Sequence, residues 1–263
     1  MINPGNPTGA IFSTETIKNI IKFAVDKKLL LIADEVYREN IYKEGAKFHS
    51  FRAVLETMDE HYKKNCELAS LHSVSKGIMG ECGLRGGYLY IHNFSEKIRA
   101  QLLKMKSINL CSNTIGQMSV EMMCNPPIEG VSEETRTQYL SERKALFDSL
   151  KNRAKLVTKY LNSMRNVHSQ EVEGAMYAFP SIKFSDEVLR VSNGKPDLFY
   201  CMEVLKNTGI VIVPGSGFNQ RPGTYHFRIT ILIRPDEKLE QKLKVLKEFN
   251  DSFHSKYETK PKL

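Results

Sequence analysis

The sequence predicts an α/β unit built on a mostly parallel sheet, residues 1–145, followed by a smaller α+β unit, residues 146–263. Three observations carry this reading. Helical and short apolar segments alternate over residues 13–124, the pattern of strands covered by helices. Residues 29–33 form a continuous apolar run ending in Asp34-Glu35, as expected of a strand buried on both faces. A charged, helix-favouring stretch, residues 132–164, then separates this half from a second pattern of short strands and helices.

The elements follow in order. Ser13 supplies a capping hydroxyl for a helix whose Ile17, Ile20, Ile21 and Ala24 share one face. After the strand at 29–33, a second at 68–74 ends at Ser75-Lys76. A third at 87–92 follows a glycine-rich turn. Ser95 starts a helical segment, and residues 113–124 form another. The stretch 132–164 is long enough for a helix bridging two domains, with or without a bend. Residues 175–179 and 210–213 read as short strands. The helix at 197–207 between them has Gly209 near its end. Residues 225–232 give a further strand and 237–253 a closing helix.

Composition narrows the function classes. Apolar residues make up 41% and charged residues 26%, as in soluble globular proteins. No apolar run approaches the 18 or so residues of a membrane helix. The start of the chain lacks the basic end and apolar run of a signal peptide, so a cytoplasmic location is expected. Cys66, Cys82, Cys111, Cys124 and Cys201 form no C-x-x-C pair and are expected as free thiols, without a metal site. The net charge of +8 is spread along helices and a basic tail, residues 255–263, expected to fray. A solvated surface accounts for it, and neither nucleic acid nor membrane is expected as a partner.

In open α/β sheets ligands bind beyond the carboxyl ends of the strands. Asp34 and Lys76 both sit at such ends, so one crevice can receive both. A plain salt bridge between them is the commoner arrangement. Arg228 lies in an otherwise apolar strand and needs an anion. A structural ion pair is again the commoner case.

The ordered set of short strings adds information that no single one has. Asn3-Pro4-Gly5-Asn6-Pro7-Thr8-Gly9 comes first, then Asp34-Glu35-Val36-Tyr37, Ser73-Val74-Ser75-Lys76 and Gly83-Leu84-Arg85-Gly86-Gly87. In this order they resemble the fold-type-I, class I/II aminotransferases. The segment from Ser73 through Met79-Gly80-Glu81-Cys82-Gly83 to Tyr88 is similar to the alanine aminotransferase version. So are Gly174-Ala175-Met176-Tyr177-Ala178-Phe179-Pro180, Val213-Pro214-Gly215-Ser216-Gly217-Phe218 and Gly223-Thr224-Tyr225-His226-Phe227-Arg228.

The resemblance implies pyridoxal 5'-phosphate as cofactor, with no metal. Lys76 would link it covalently and, once freed, move a proton from the substrate's Cα. Asp34 would keep the pyridine nitrogen protonated, while Asn6 and Tyr37 donate hydrogen bonds to the ring's phenolate oxygen. Arg85 would grip the phosphate with the hydroxyls of Ser73 and Ser75. Arg228 would clamp the substrate's α-carboxylate. Glu35, Met79 and Cys82 lie in the motifs but receive no chemistry. The implied reaction moves an amino group between L-alanine and 2-oxoglutarate, giving pyruvate and L-glutamate, in a homodimer.

The resemblance also implies an earlier stretch that forms the first part of the large domain and is not in this sequence. That stretch carries a backbone loop cradling the phosphate and an aromatic ring stacked on the pyridine. The remaining strands would then show an unpaired edge, and a mitochondrial location stays open. Two alternatives stand beside transamination. One is a non-catalytic module that pairs with full-length subunits. The other is a different enzyme of the fold, such as a C–S lyase or cyclopropane-carboxylate synthase.

Overall fold

In the computed structural model, which describes residues 1–78 and 80–258, Ser13 opens α1 (Thr14–Asp26). Its hydroxyl accepts the Thr16 N–H at 3.1 Å, satisfying one of the first-turn donors that the helix itself leaves free. The chain then runs through β1 (Leu31–Asp34), α2 (Phe51–Glu56), α3 (Glu60–Asn65), β2 (Leu68–Ser73) and β3 (Gly87–His92). Next come α4 (Glu96–Ser107), α5 (Thr114–Cys124) and the 30-residue α6 (Glu133–Asn162). Ser95 and Asn113 cap α4 and α5 through their side chains.

The chain divides into two units. Met1–Gly5 and Ala10–Phe147 form the first, and Asn6–Gly9 joins the residues from Asp148 onward in the second. The Asn-Pro turn of the sequence is therefore split, with Asn6 in the second unit.

In the first unit the sheet order is β1-β2-β3. β1 and β2 are parallel, with Asp34 opposite Leu71, so their carboxyl ends lie together. β3 runs antiparallel to β2, with Ser73 opposite Gly87. The sheet is therefore mixed where a mostly parallel one was expected. Among the described residues of the 74–86 loop there is no crossover helix, which a parallel return would need. Ile17, Ile21, Leu31, Ala33, Phe51, Leu55 and Leu68 form the core between α1, α2 and one sheet face. The opposite face corrects a second expectation, because β1 is not buried on both sides. Ile32, Leu71 and Leu89 share that face and stay 47%, 36% and 51% exposed.

The second unit contains β4 (Val167–His168), β5 (Tyr177–Ala178), β6 (Ser181–Ile182), α7 (Asp186–Val191), α8 (Pro196–Thr208), β7 (Val213–Pro214), β8 (Phe227–Thr230) and α9 (Asp236–Lys256). β8 lies between β5 and β7, antiparallel to both. α8 ends at Gly209, whose positive φ of 68° places it in the left-handed region that glycine tolerates. Tyr200, Phe227, Leu239, Leu243, Leu246 and Phe253 are buried in its core. The Tyr200 hydroxyl donates to Asn250 Oδ1 at 2.9 Å, so this core's buried phenol is satisfied. α9 continues to Lys256, beyond the expected end at residue 253, and residues 259–263 of the basic tail lie outside the described residues. No helix among the described residues is long and apolar enough to cross a membrane.

Candidate active site

The parallel β1–β2 pair fixes the first cluster. Asp34 closes β1 and Ser73 closes β2, at one end of the sheet. Ser73 Oγ lies 3.0 Å from Ser75 Oγ and 2.9 Å from the Gly86 carbonyl, and it accepts the Ser75 N–H at 3.1 Å. Val74 N–H also donates to the Gly86 carbonyl, at 3.2 Å. These bonds draw the Arg85-Gly86 backbone against the serine turn, with Lys76 one residue further on. A Cβ on Gly87 would come 2.7 Å from the His72 carbonyl oxygen, so this approach needs a residue without a side chain.

Asp34 and Lys76 are both half-buried, yet they form no ion pair. One Asp34 oxygen accepts the Val36 N–H at 3.3 Å. Lys76 Nζ has no hydrogen-bonding or ionic partner among the described residues. The salt bridge that would have made this pair merely structural is not formed. Tyr37 is buried nearby in sequence, three residues after Asp34.

Arg85 is exposed and takes a left-handed backbone conformation, φ 55°. Its Nη1 donates to the Cys82 carbonyl at 2.8 Å, and no carboxylate pairs with it among the described residues. Its guanidinium therefore rests on a neutral carbonyl, not on the serine hydroxyls. Glu35 is buried, and Oε1 accepts the first-turn Phe51 N–H of α2 at 2.8 Å. Burial raises its pKa, with the Phe51 bond and Arg38 acting in the opposite direction. Glu35 anchors the start of α2. Cys66 and Cys201 are buried free thiols pushed up to about 11 and about 12 by burial, which makes them unreactive.

The second cluster belongs to the second unit. Arg228 on β8 donates from Nη1 to Asn6 Oδ1 at 2.9 Å. Its guanidinium carbon sits 4.5 Å from the Tyr177 ring centroid and 4.9 Å from that of Phe218. The two rings hold the cation through their π faces, and a planar guanidinium suits that position. No carboxylate pairs with Arg228 among the described residues, so the structural ion pair is absent here too. With Asn6 Oδ1 spent as acceptor, its amide N–H groups remain available as donors.

Sequence reasoning missed Tyr177 and Phe218 as partners of Arg228. Both lie in strings already singled out, but which side chain faces which across β5, β8 and the 215–218 turn is a long-range fact. Two cavities of about 210 Å³ each also occur in the first unit, one lined by Glu39, Ile78, Tyr139 and Arg143, the other by Arg85, Asn113 and Gln117. Neither is lined by Asp34 or Lys76.

Comparison with known proteins gives concordant results. The family model described as aminotransferase class I and II matches residues 1–246. The chain is 44% identical to alanine aminotransferase 2 of Xenopus laevis over 260 residues, covering 98% of this chain and 48% of that protein. It is 42% identical to alanine aminotransferase 1 of Homo sapiens, covering 98% and 52%. The chain thus spans about half the length of the curated relatives it matches. Among solved structures, an alanine aminotransferase from Pyrococcus furiosus is similar with a TM-score of 0.75 and 25% identity, over 96% of this chain and 57% of that one. An aminotransferase from Escherichia coli, 23% identical, shares the fold with a TM-score of 0.74, over 97% of this chain and 57% of that one.

Proposed function

The chain belongs to the class I and II aminotransferases, and from that premise we propose that it serves amino-group transfer between L-alanine and 2-oxoglutarate, giving pyruvate and L-glutamate, with pyridoxal 5'-phosphate as cofactor. The observation that carries this reading is the unpaired state of Asp34 and Lys76 at the shared carboxyl end of β1 and β2. A carboxylate and an amine that lie at one sheet end without pairing to each other are both left able to engage a ligand. The relatives named alanine aminotransferase, at 42–45% identity, support the choice of substrates.

The donor set fits the cofactor. A carboxylate suits a basic ring nitrogen, two neighbouring hydroxyls and an arginine suit a phosphate, and a lysine amine suits an aldehyde carbon. When bound, the cofactor withdraws electrons from the substrate's Cα. Asp34 would keep a proton on the ring nitrogen. Ser73, Ser75 and Arg85 would hold the phosphate. Lys76 would carry the covalent link and, as a free amine, would serve as the base for the Cα proton. Tyr37 and the Asn6 amide would donate to the ring's phenolate oxygen. Arg228 binds the substrate α-carboxylate in parallel N–H bonds, orienting Cα. The proposed assembly is a homodimer.

The test incubates the protein with pyridoxal phosphate, L-alanine and 2-oxoglutarate and measures the products. Pyruvate and L-glutamate in equal amounts are expected. Pyruvate with ammonia and no glutamate would indicate a lyase, and no pyruvate at all would count against catalysis by this chain.

A further inference from the structure

Arg228 is held by more than its two flanking rings. Behind them lies a polar network, anchored on a buried carboxylate, that none of the roles above uses. Asp197, in the first turn of α8, is 4% exposed. Its Oδ2 accepts the Ser216 N–H at 2.6 Å and the Gln220 Nε2–H at 3.0 Å. A carboxylate only accepts, so the Gln220 amide must present Nε2 to Asp197 and Oε1 to its other neighbour. That neighbour is His226 Nδ1, at 3.0 Å. His226 therefore carries its proton on Nδ1. Burial lowers its pKa while Asp197 opposes the shift.

The imidazole stacks on Phe179, with centroids 4.9 Å apart and planes 7° from parallel. Phe179 meets the edge of Phe218 at 5.5 Å and 81°. Phe218 in turn faces the Arg228 guanidinium. The backbone closes the same loop. Gly215 N–H donates to the His226 carbonyl at 2.8 Å, and a Cβ on Gly215 would fall 2.2 Å from Gln220 Oε1. The Gly215–Phe218 turn is thus pinned from both sides, and Phe218 leaves it already placed.

We propose that Asp197, acting through Gln220, His226 and the Gly215–Phe218 turn, is the positioning residue that fixes Arg228 for carboxylate binding. This inference rests on the reading of Arg228 as the carboxylate clamp. Physically, a buried carboxylate with two donors ties the turn at Ser216 to the chain just past it at Gln220. The turn holds the ring, and the ring limits the guanidinium to one plane. An arginine fixed in advance loses less side-chain entropy when its ligand arrives.

Two measurements on the whole chain test it. The first needs no ligand: the Nε–Hε signal of Arg228 and the ring signals of Phe218, read by NMR. The second is the affinity for 2-oxoglutarate by calorimetry. Asp197→Asn and Gln220→Ala should each broaden the Arg228 signal and weaken 2-oxoglutarate about tenfold. Phe218→Leu should do the same, while Phe218→Tyr, which keeps the ring, should restore both. Arg228→Leu should abolish the affinity. If Arg228→Leu leaves the affinity unchanged, the clamp reading fails, and the NMR signal still judges the positioning. If the Arg228 signal and the affinity are untouched in both Asp197→Asn and Gln220→Ala, with circular dichroism showing folded variants, the inference is overturned.

Discussion

Asp34 and Lys76 differ from an ordinary buried pair in that neither neutralises the other, although one sheet end carries both. Replacing Asp34 with Asn or Ala should therefore lower kcat more than it raises KM, since a protonated ring matters most where carbanionic charge develops. Steady-state kinetics check this; a raised KM with unchanged kcat would contradict it. Arg228 gives the complementary prediction. Its partners are Asn6 Oδ1 and two aromatic rings, none of them anionic. Arg228→Leu should cost about 3–5 kcal/mol of carboxylate binding, at least a hundredfold in kcat/KM for alanine, glutamate and both oxo acids. Cofactor retention, followed by absorbance, should not change. Loss of cofactor with substrate affinity intact would reassign Arg228. Arg228→Lys should also fall short, because an ammonium does not reproduce two parallel N–H bonds.

Strand β2 carries a pH signature. His72 is buried within it, opposite Tyr88, and its ring meets Tyr88 edge-on at 5.6 Å. Burial, assisted by the Arg38 charge, lowers its pKa to about 4. In the unfolded chain it titrates near ~6.5. The folded pKa is the lower one, so the unfolded state gains the proton first as pH falls. Stability present above about 6.5 is lost progressively towards about 4, on the order of 1–2 kcal/mol once partial solvent screening is allowed for. Denaturant titrations at pH 7.5 and 5.0 should show this loss, and His72→Gln should remove most of it. An unchanged pH dependence in His72→Gln would refute the assignment. A second element-scale prediction concerns Gly9, at φ 70°, where a Cβ would lie 2.8 Å from the Tyr177 carbonyl oxygen. Gly9→Ala should cost about 1–3 kcal/mol, read from the denaturation midpoint, because backbone atoms cannot move aside.

Legibility in the sequence followed element length. α1 was readable from its cap and periodicity, α8 from the glycine near its end and α6 from a long charged, helix-favouring stretch. β3 was readable to its exact ends from the glycine turn before it. α2, α3 and α7, of six residues each, and the two-residue strands β4 and β6 gave no repeat to detect. The placement of Asn6 with the second unit was equally hidden, since its bond to Arg228 spans 222 positions. The charged residues proposed for the site stand out in the sequence by type and order. The Asp197–Gln220–His226 network does not, since polar contacts between separate segments leave no spacing pattern.

Over the whole molecule, the first unit exposes an apolar sheet face that folding has not covered. Ile32, Leu71 and Leu89 share it, and β3 pairs only with β2 among the described residues. An apolar face beside an open strand edge favours association. Light scattering should show self-association of the chain at micromolar concentrations, and Ile32→Lys with Leu89→Lys should reduce it. No change on adding those two charges would mean the face is not the contact. The central claim, however, is chemical, and one measurement reaches it most directly. The protein is mixed with equimolar pyridoxal phosphate, reduced with borohydride and mapped by peptide mass spectrometry, beside Lys76→Ala. The account predicts one dominant adduct on Lys76, absent from Lys76→Ala; labelling spread over surface lysines, or unchanged in Lys76→Ala, would contradict it.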